Sequence, residues 1–151
     1  MSNDKRMQKG ERTSNHILHT TIEIVAKHGL NGVTTAKLVE ASGVSKSTIF
    51  HHFKTRDEVL KKALDLVFNE LLNTMKIDDY HGVEEFLKAI GHSMFQLDET
   101  TRTYVEAFLS YFHEGIFNPE YRMIFISVIG SIVTLAILLV LYLMIFKRGL
   151  F

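Results

Sequence analysis

The sequence predicts an all-α protein built from a three-helix helix-turn-helix domain, a short helical segment and a C-terminal transmembrane helix. Three observations carry that expectation. Apolar residues recur with a helical period along most of the 151 residues, and no stretch alternates with period two for long enough to argue a sheet. Two short helical patterns flank a tight turn at Gly43. Met123 to Phe146 is a run of 24 residues without a charge, and 16 of them are Ile, Leu, Val or Phe.

Composition narrows the possibilities first. The absence of cysteine removes a disulfide scaffold, a Cys-ligated zinc site and thiol catalysis. A single proline and a 46% hydrophobic share argue against a linker-like or disordered chain. Net charge is zero, but it is divided. Residues 1–62 carry eleven Lys and Arg against six Asp and Glu, and residues 63–151 carry six against eleven. A basic first part joined to an acidic second part points the first part at a polyanion. Residues 1–11 are polar, have no apolar stretch typical of a signal peptide, and read as a flexible basic tail.

The first helix is predicted from Thr13 to His28, with Ile17, Ile22, Ile24, Val25 and Ala26 on its apolar face and Gly29 past its end. Thr34 or Thr35 caps a second helix running to about Ala41. Gly43 and Val44 turn the chain, and Ser45 caps a third helix to about Phe53. Thr55 or Asp57 starts a fourth, Glu58 to about Lys76, whose stripe includes Val59, Leu60, Ala63, Leu64 and Val67. Further helices are predicted over Val83–Gln96 and Thr101–Glu114, before Gly115 and Asn118-Pro119 interrupt the pattern. The resulting divisions are residues 1–11 (tail), 12–56 (helix-turn-helix domain), 57–120 (helical core), 121–147 (span) and 148–151 (tail).

The stretch Thr34–Phe53 is the most informative. Its residues, with Ile17, Gly29, Thr34-Thr35, Leu38, Gly43-Val44-Ser45, Thr48-Ile49-Phe50, His52-Phe53-Lys54 and Arg56 in uninterrupted register, resemble the TetR family of bacterial transcriptional regulators over about residues 12–62. Val39 and Ser42 stand where the family usually has alanine, and Phe50 stands where it usually has tyrosine. The resemblance implies duplex DNA as partner and a homodimer that sets two recognition helices one DNA turn apart on a near-palindromic operator. It also implies further soluble helices where this chain has its apolar run.

Roles in DNA binding follow from chemistry together with that pattern. Lys46, Ser47, Thr48 and His51 are read as base-contacting: a lysine reaches guanine, a threonine offers its methyl to thymine, and a serine allows close approach. Thr34, Thr35, Lys37, Ser45, His52, Lys54 and Arg56 are assigned to phosphates by carry-over from the family. Leu38, Val44, Ile49 and Phe53 are read as the core of the motif. Lys5, Arg6, Lys9 and Arg12 suit a minor-groove arm.

A 24-residue helix is about 36 Å long, enough for a hydrocarbon core of about 30 Å. Tyr121 and Arg122 at one end and Tyr142, Lys147 and Arg148 at the other suit the interfaces. Ser127, Gly130, Ser131 and Thr134 form small-residue pairs four apart, a dimer face within the span. The predicted location is therefore the cell membrane, single-pass, with the basic domain in the cytoplasm. Lys147 and Arg148 on the far side run against the usual charge bias.

Between these parts, Phe68, Met75, Phe86, Met94, Phe95, Tyr104, Phe108, Tyr111 and Phe112 supply a helical core or dimer face, or else a pocket for a small apolar ligand. The eight histidines are scattered without metal-ligand spacing, and there is no phosphate loop or nucleophile elbow, so neither metal, cofactor nor enzymatic activity is expected. The combined expectation is a membrane-anchored, DNA-binding repressor acting as a homodimer, with a membrane protein as a further partner. The competing readings are a soluble TetR-type repressor whose last helix lies in a dimer core, and a membrane adaptor of the same fold that does not bind DNA.

Overall fold

The computed structural model describes the backbone of residues 2–74, 84–85, 88 and 97–148, and their side chains except at 2–6, 136, 139, 140 and 142–148. The described residues form six α-helices and no strand: α1 (Ser2–His28), α2 (Thr35–Ser42), α3 (Lys46–His52), α4 (Arg56–Thr74), α5 (Glu99–Phe117) and α6 (Pro119–Arg148), with a 3-10 turn at Leu30–Gly32. The helix expected over Val83–Gln96 falls almost wholly outside the described residues, as do Met75, Phe86, Met94 and Phe95.

The main difference from the sequence reading is at the start. Helix α1 begins at Ser2, so Lys5, Arg6, Lys9 and Arg12 lie on a helix and not on a flexible arm. Nothing apolar marks residues 2–6, so periodicity is silent there. Adding turns to an established helix requires only propagation, without the cost of nucleation.

Contacts divide the chain into two units, Met1–Tyr111 and Phe112–Phe151. In the first unit α1 packs on α4, α2 and α3. Ile17, Ile22, Val25, Val33, Leu38, Ile49, Leu60, Leu64 and Val67 are almost fully buried. Thr21, buried among them, satisfies its hydroxyl by donating to the Ile17 carbonyl at 2.8 Å. Two distant ties join α5 to this core. The Tyr111 hydroxyl donates to the Leu60 carbonyl at 2.7 Å, and the Tyr104 hydroxyl lies 2.9 Å from His19 Nδ1. Phe68 and Phe108 meet edge to face at 5.8 Å. The described part of the aromatic stripe is therefore largely core. The crevice near it, about 360 Å³ and open to solvent, is lined mostly by polar residues of α1 and α5, among them Glu23, Lys27, Glu99 and Thr103.

In the second unit, Phe112 packs edge to face on Phe125 at 5.5 Å, and the Arg122 guanidinium caps the end of α5 by donating to the carbonyls of Gly115 (3.3 Å) and Ile116 (2.6 Å). Beyond Phe125 the large apolar side chains of α6 face outward: Ile126, Ile129, Ile132, Val133, Leu135, Ile137, Leu138 and Leu141 are all about half exposed or more. Among the described residues no single helix is long and apolar enough to cross a membrane. Glu99–Phe117 and Pro119–Leu135 meet that requirement only when taken together, as two helices with a break between them.

Candidate nucleic-acid interface

Both helices of the motif start where a hydroxyl can accept from the backbone. Thr34 Oγ1 accepts from the Lys37 amide at 3.2 Å, and Ser45 Oγ from the Thr48 amide at 3.2 Å, each satisfying an otherwise orphaned donor of the first turn. Between them the chain reverses at Gly43, whose φ of 65° and ψ of 10° are left-handed. Its amide closes α2 by donating to the Val39 carbonyl at 3.0 Å. A side chain at this position would be strained.

Ser42 braces the same turn. Its hydroxyl donates to the Leu38 carbonyl and accepts from the Val44 amide at 3.2 Å. Its own carbonyl accepts from His16 Nε2 at 2.9 Å, tying the turn to α1. Ser42 thus has a defined task here.

Leu38, Ile49 and Phe53 are buried and pin α2 and α3 to each other and to α1. Burial of this kind stabilises by about 1.5–3 kcal/mol per side chain. Val44, assigned to the core from sequence, is only half-buried because it sits in the turn and not on a packed helix face.

With Ile49 and Phe53 directed inward, the outward arc of α3 holds Lys46, Ser47, Phe50 and His51, all exposed. Three of the four residues read as base-contacting therefore share one surface. Thr48 is half-buried at its margin, its hydroxyl 2.8 Å from Ser45 Oγ. Ser47 Oγ lies 3.0 Å from the same Ser45 oxygen. Phe50, which was given no contact role from sequence, stands in the middle of the arc. The Lys46 ammonium lies 6.0 Å from its ring centroid, at the edge of cation–π range. The i, i+4 spacing of Lys46 and Phe50 is the sequence signal for that pair. An exposed aromatic ring there suits the methyl group of thymine.

The residues assigned to phosphates are less uniform. Thr34, Ser45 and Lys54 are exposed, while Thr35, Lys37 and His52 are half-buried. The Lys54 amide donates to Glu58 Oε2 at 2.7 Å, and the Glu58 amide to Thr55 Oγ1 at 3.1 Å, a reciprocal cap that starts α4 just behind α3. The Arg56 guanidinium turns back to the loop after α1 and donates to the carbonyls of Leu30 and Val33. Its guanidinium is thus committed to holding that loop, a task that its sequence position does not reveal.

Comparison with known proteins agrees with this geometry. Residues 17–63 match the model of bacterial regulatory proteins of the tetR family. The HTH-type transcriptional regulator BetI 1 of Chromohalobacter salexigens is 24% identical over 107 residues, covering 69% of this chain and 53% of that protein. An uncharacterized HTH-type transcriptional regulator of Haemophilus influenzae is 32% identical over 62 residues, covering 41% of this chain and 33% of that one. The chain spans about half the length of the first of these relatives. A TetR family transcription regulator from Marinobacter aquaeolei VT8 has the same fold, with a TM-score of 0.69 at 17% identity over 85% of this chain and 68% of that one.

Proposed function

We propose that this chain, whose residues 17–63 carry a tetR-family helix-turn-helix domain, is a DNA-binding transcriptional repressor that acts as a homodimer on a near-palindromic operator. The observation that supports this most directly is the exposed arc of Lys46, Ser47, Phe50 and His51 on a short helix held rigidly by its caps and its buried face. It offers one long cation, one small hydroxyl, one apolar surface and one imidazole to base edges, a mixed set suited to reading sequence. Thr34, Thr35, Lys37, Ser45, His52 and Lys54 border it and serve the backbone. Repression follows from occupancy of the operator. The test is binding to operator and random duplexes across a salt series. Lys46→Ala is expected to lose discrimination between them, and an absence of salt-dependent binding would favour the adaptor reading.

A second part of the reading concerns α6, proposed to lie in the cell membrane with the helix-turn-helix domain on the cytoplasmic side. It is supported by exposed apolar side chains that together take in all sides of the helix between Ile126 and Leu141: Ile126, Ile129, Ile132, Val133, Leu135, Ile137, Leu138 and Leu141. A contact with one neighbouring helix covers only one stripe, whereas lipid covers all sides. The Ser131 and Thr134 hydroxyls donate to the carbonyls of Ser127 and Gly130, each at 2.8 Å, which leaves this small-residue face compatible with lipid or with a second helix. The soluble reading places the same helix in the core of a dimer bundle. Carbonate extraction of membranes holding the full chain separates them: retention in the pellet supports the bilayer, and release supports the dimer core.

A further inference from the structure

The junction of α5 and α6 carries apolar side chains that the uncharged run does not account for. That run starts at Met123, yet Phe112, Ile116 and Phe117 of α5 are exposed before it, Phe117 at 70%. Met123 and Ile126 continue the exposed apolar set on α6. Gly115 and Asn118-Pro119 interrupt the sequence between the two groups, so hydropathy along the chain does not join them.

Backbone polar groups decide what such a junction tolerates. In lipid an unsatisfied N–H or C=O has no water to turn to, so a turn at the membrane must satisfy its own groups. This one has the bonds to do so. At the end of α5 the Glu114 carbonyl accepts from the Asn118 amide at 2.8 Å, and the carbonyls of Gly115 and Ile116 accept from the Arg122 guanidinium. At the start of α6, Pro119 has no N–H to satisfy. The Glu120 amide donates to Asn118 Oδ1 at 3.0 Å, and the Arg122 amide to the Asn118 carbonyl at 3.0 Å. Charge then sets the depth. His113, Glu120 and Arg122 are exposed beside the apolar side chains, which suits the headgroup layer and not the hydrocarbon, where a charge is costly. A single neighbouring helix covers one stripe, whereas lipid covers the end of α5 and the all-round apolar surface of α6 alike.

We propose that this junction lies in the headgroup layer of a lipid bilayer, with Ile116, Phe117 and Met123 at the boundary of headgroups and acyl chains and Arg122 at the level of the phosphates. It rests on the membrane reading of α6 above and adds a lipid contact that precedes the span.

The chain has no tryptophan, so a single introduced indole reports alone. The experiment reconstitutes the full chain in phosphatidylcholine vesicles whose acyl chains are brominated either close to the headgroup or close to the bilayer centre. Bromine quenches an indole at its own depth. Phe117→Trp and Ile116→Trp are compared with Leu135→Trp, midway along the uncharged run, and with Phe50→Trp, on the exposed arc of α3. The two junction variants are expected to emit at shorter wavelength than Phe50→Trp and to lose more intensity to the shallow bromines than to the deep ones. Leu135→Trp is expected to show the reverse order, and Phe50→Trp no quenching by either. Absence of quenching in both junction variants overturns the proposal, short-wavelength emission then marking a protein neighbour and long-wavelength emission water. Stronger quenching of both by the deep bromines overturns it too, since the junction would then lie within the hydrocarbon. Either result beside a quenched Leu135→Trp leaves the span standing. An unquenched Leu135→Trp overturns the membrane reading of α6 and the lipid contact of the junction with it.

Discussion

His16 Nε2 donates to the Ser42 carbonyl across 2.9 Å, joining the middle of α1 to the last residue of α2, one step before the turn into the recognition helix. The helix-turn-helix is thereby held from outside as well as by its own core. His16→Ala removes this tie at an exposed site, where one hydrogen bond is worth about 0.5–1.5 kcal/mol. A loss of about that size in urea unfolding is expected, together with operator binding weaker by several-fold. His16→Gln, which offers an amide donor of similar reach, is expected to recover most of both. Equal behaviour of the two variants would show that the bond has no part in orienting the turn.

Arg56 is expected to act on stability more than on DNA. Its guanidinium serves two carbonyls at once, those of Leu30 and Val33, beside side chains that are themselves buried. Lysine keeps the charge but has no planar fork to satisfy both. Arg56→Lys should therefore lower unfolding stability by about 1–3 kcal/mol. The salt dependence of DNA binding by the folded variant should stay at the wild-type slope. A changed slope at unchanged stability would return Arg56 to the phosphate set.

The helix-turn-helix was legible because its signals are local. Thr34, Gly43 and Ser45 each act within three or four residues, and Leu38, Ile49 and Phe53 declare themselves by helical spacing. What was not legible depends on distant partners or lacks an apolar signal. Arg56 reaches back more than twenty residues, His16 meets Ser42 from another helix, and the first turns of α1 carry no hydrophobic stripe. The apolar run lies within one helix, α6 over Pro119–Arg148, as its composition predicts. Its surroundings are not written in it, because a bilayer and a dimer core select the same side chains.

Phe50 provides a test of how the recognition surface is prepared. Its ring stands beside the Lys46 ammonium in the centre of the exposed arc of α3. Phe50→Ala removes both the apolar contact with a base and the ring that accompanies the lysine. An effect of about 1 kcal/mol is expected, roughly a five-fold loss of operator affinity. Binding to random duplex should change little, since phosphate contacts carry most of it. A uniform loss on both duplexes would mean that the ring supports the fold of α3 and does not read bases.

Acid sensitivity should be traceable to Asp98. Its carboxylate accepts from the Thr101 amide at 2.7 Å and from the Thr101 hydroxyl at 3.0 Å, capping the start of α5. These bonds, the backbone one foremost, hold its pKa below the ordinary carboxylate value. A folded pKa lower than the unfolded one gives stability that is present above the unfolded value and is lost as pH falls through the folded value. Unfolding followed from neutral pH to about pH 3 should therefore show a steeper acid decline in wild type than in Asp98→Asn, which keeps an acceptor but has no charge to lose. Parallel curves would remove Asp98 as a source of acid sensitivity.

Gly115 decides the packing where α5 gives way to α6. A Cβ built there would lie 3.1 Å from Phe125 Cδ2 and 3.6 Å from the Arg122 amide. In an open helix, glycine to alanine gains about 1 kcal/mol of propensity. Here the ring that must give way is buried and already packed edge to face on Phe112. The gain should therefore be cancelled in Gly115→Ala, and Gly115→Val, with a bulkier side chain, should lose about 1–3 kcal/mol. Shortening the opposing side chain by Phe125→Leu should make the alanine less unfavourable than it is in the wild-type background. A double-mutant cycle of unfolding free energies measures that coupling. Additive effects would show that Phe125 has room to move, and that the absence of a side chain at Gly115 does not set this corner.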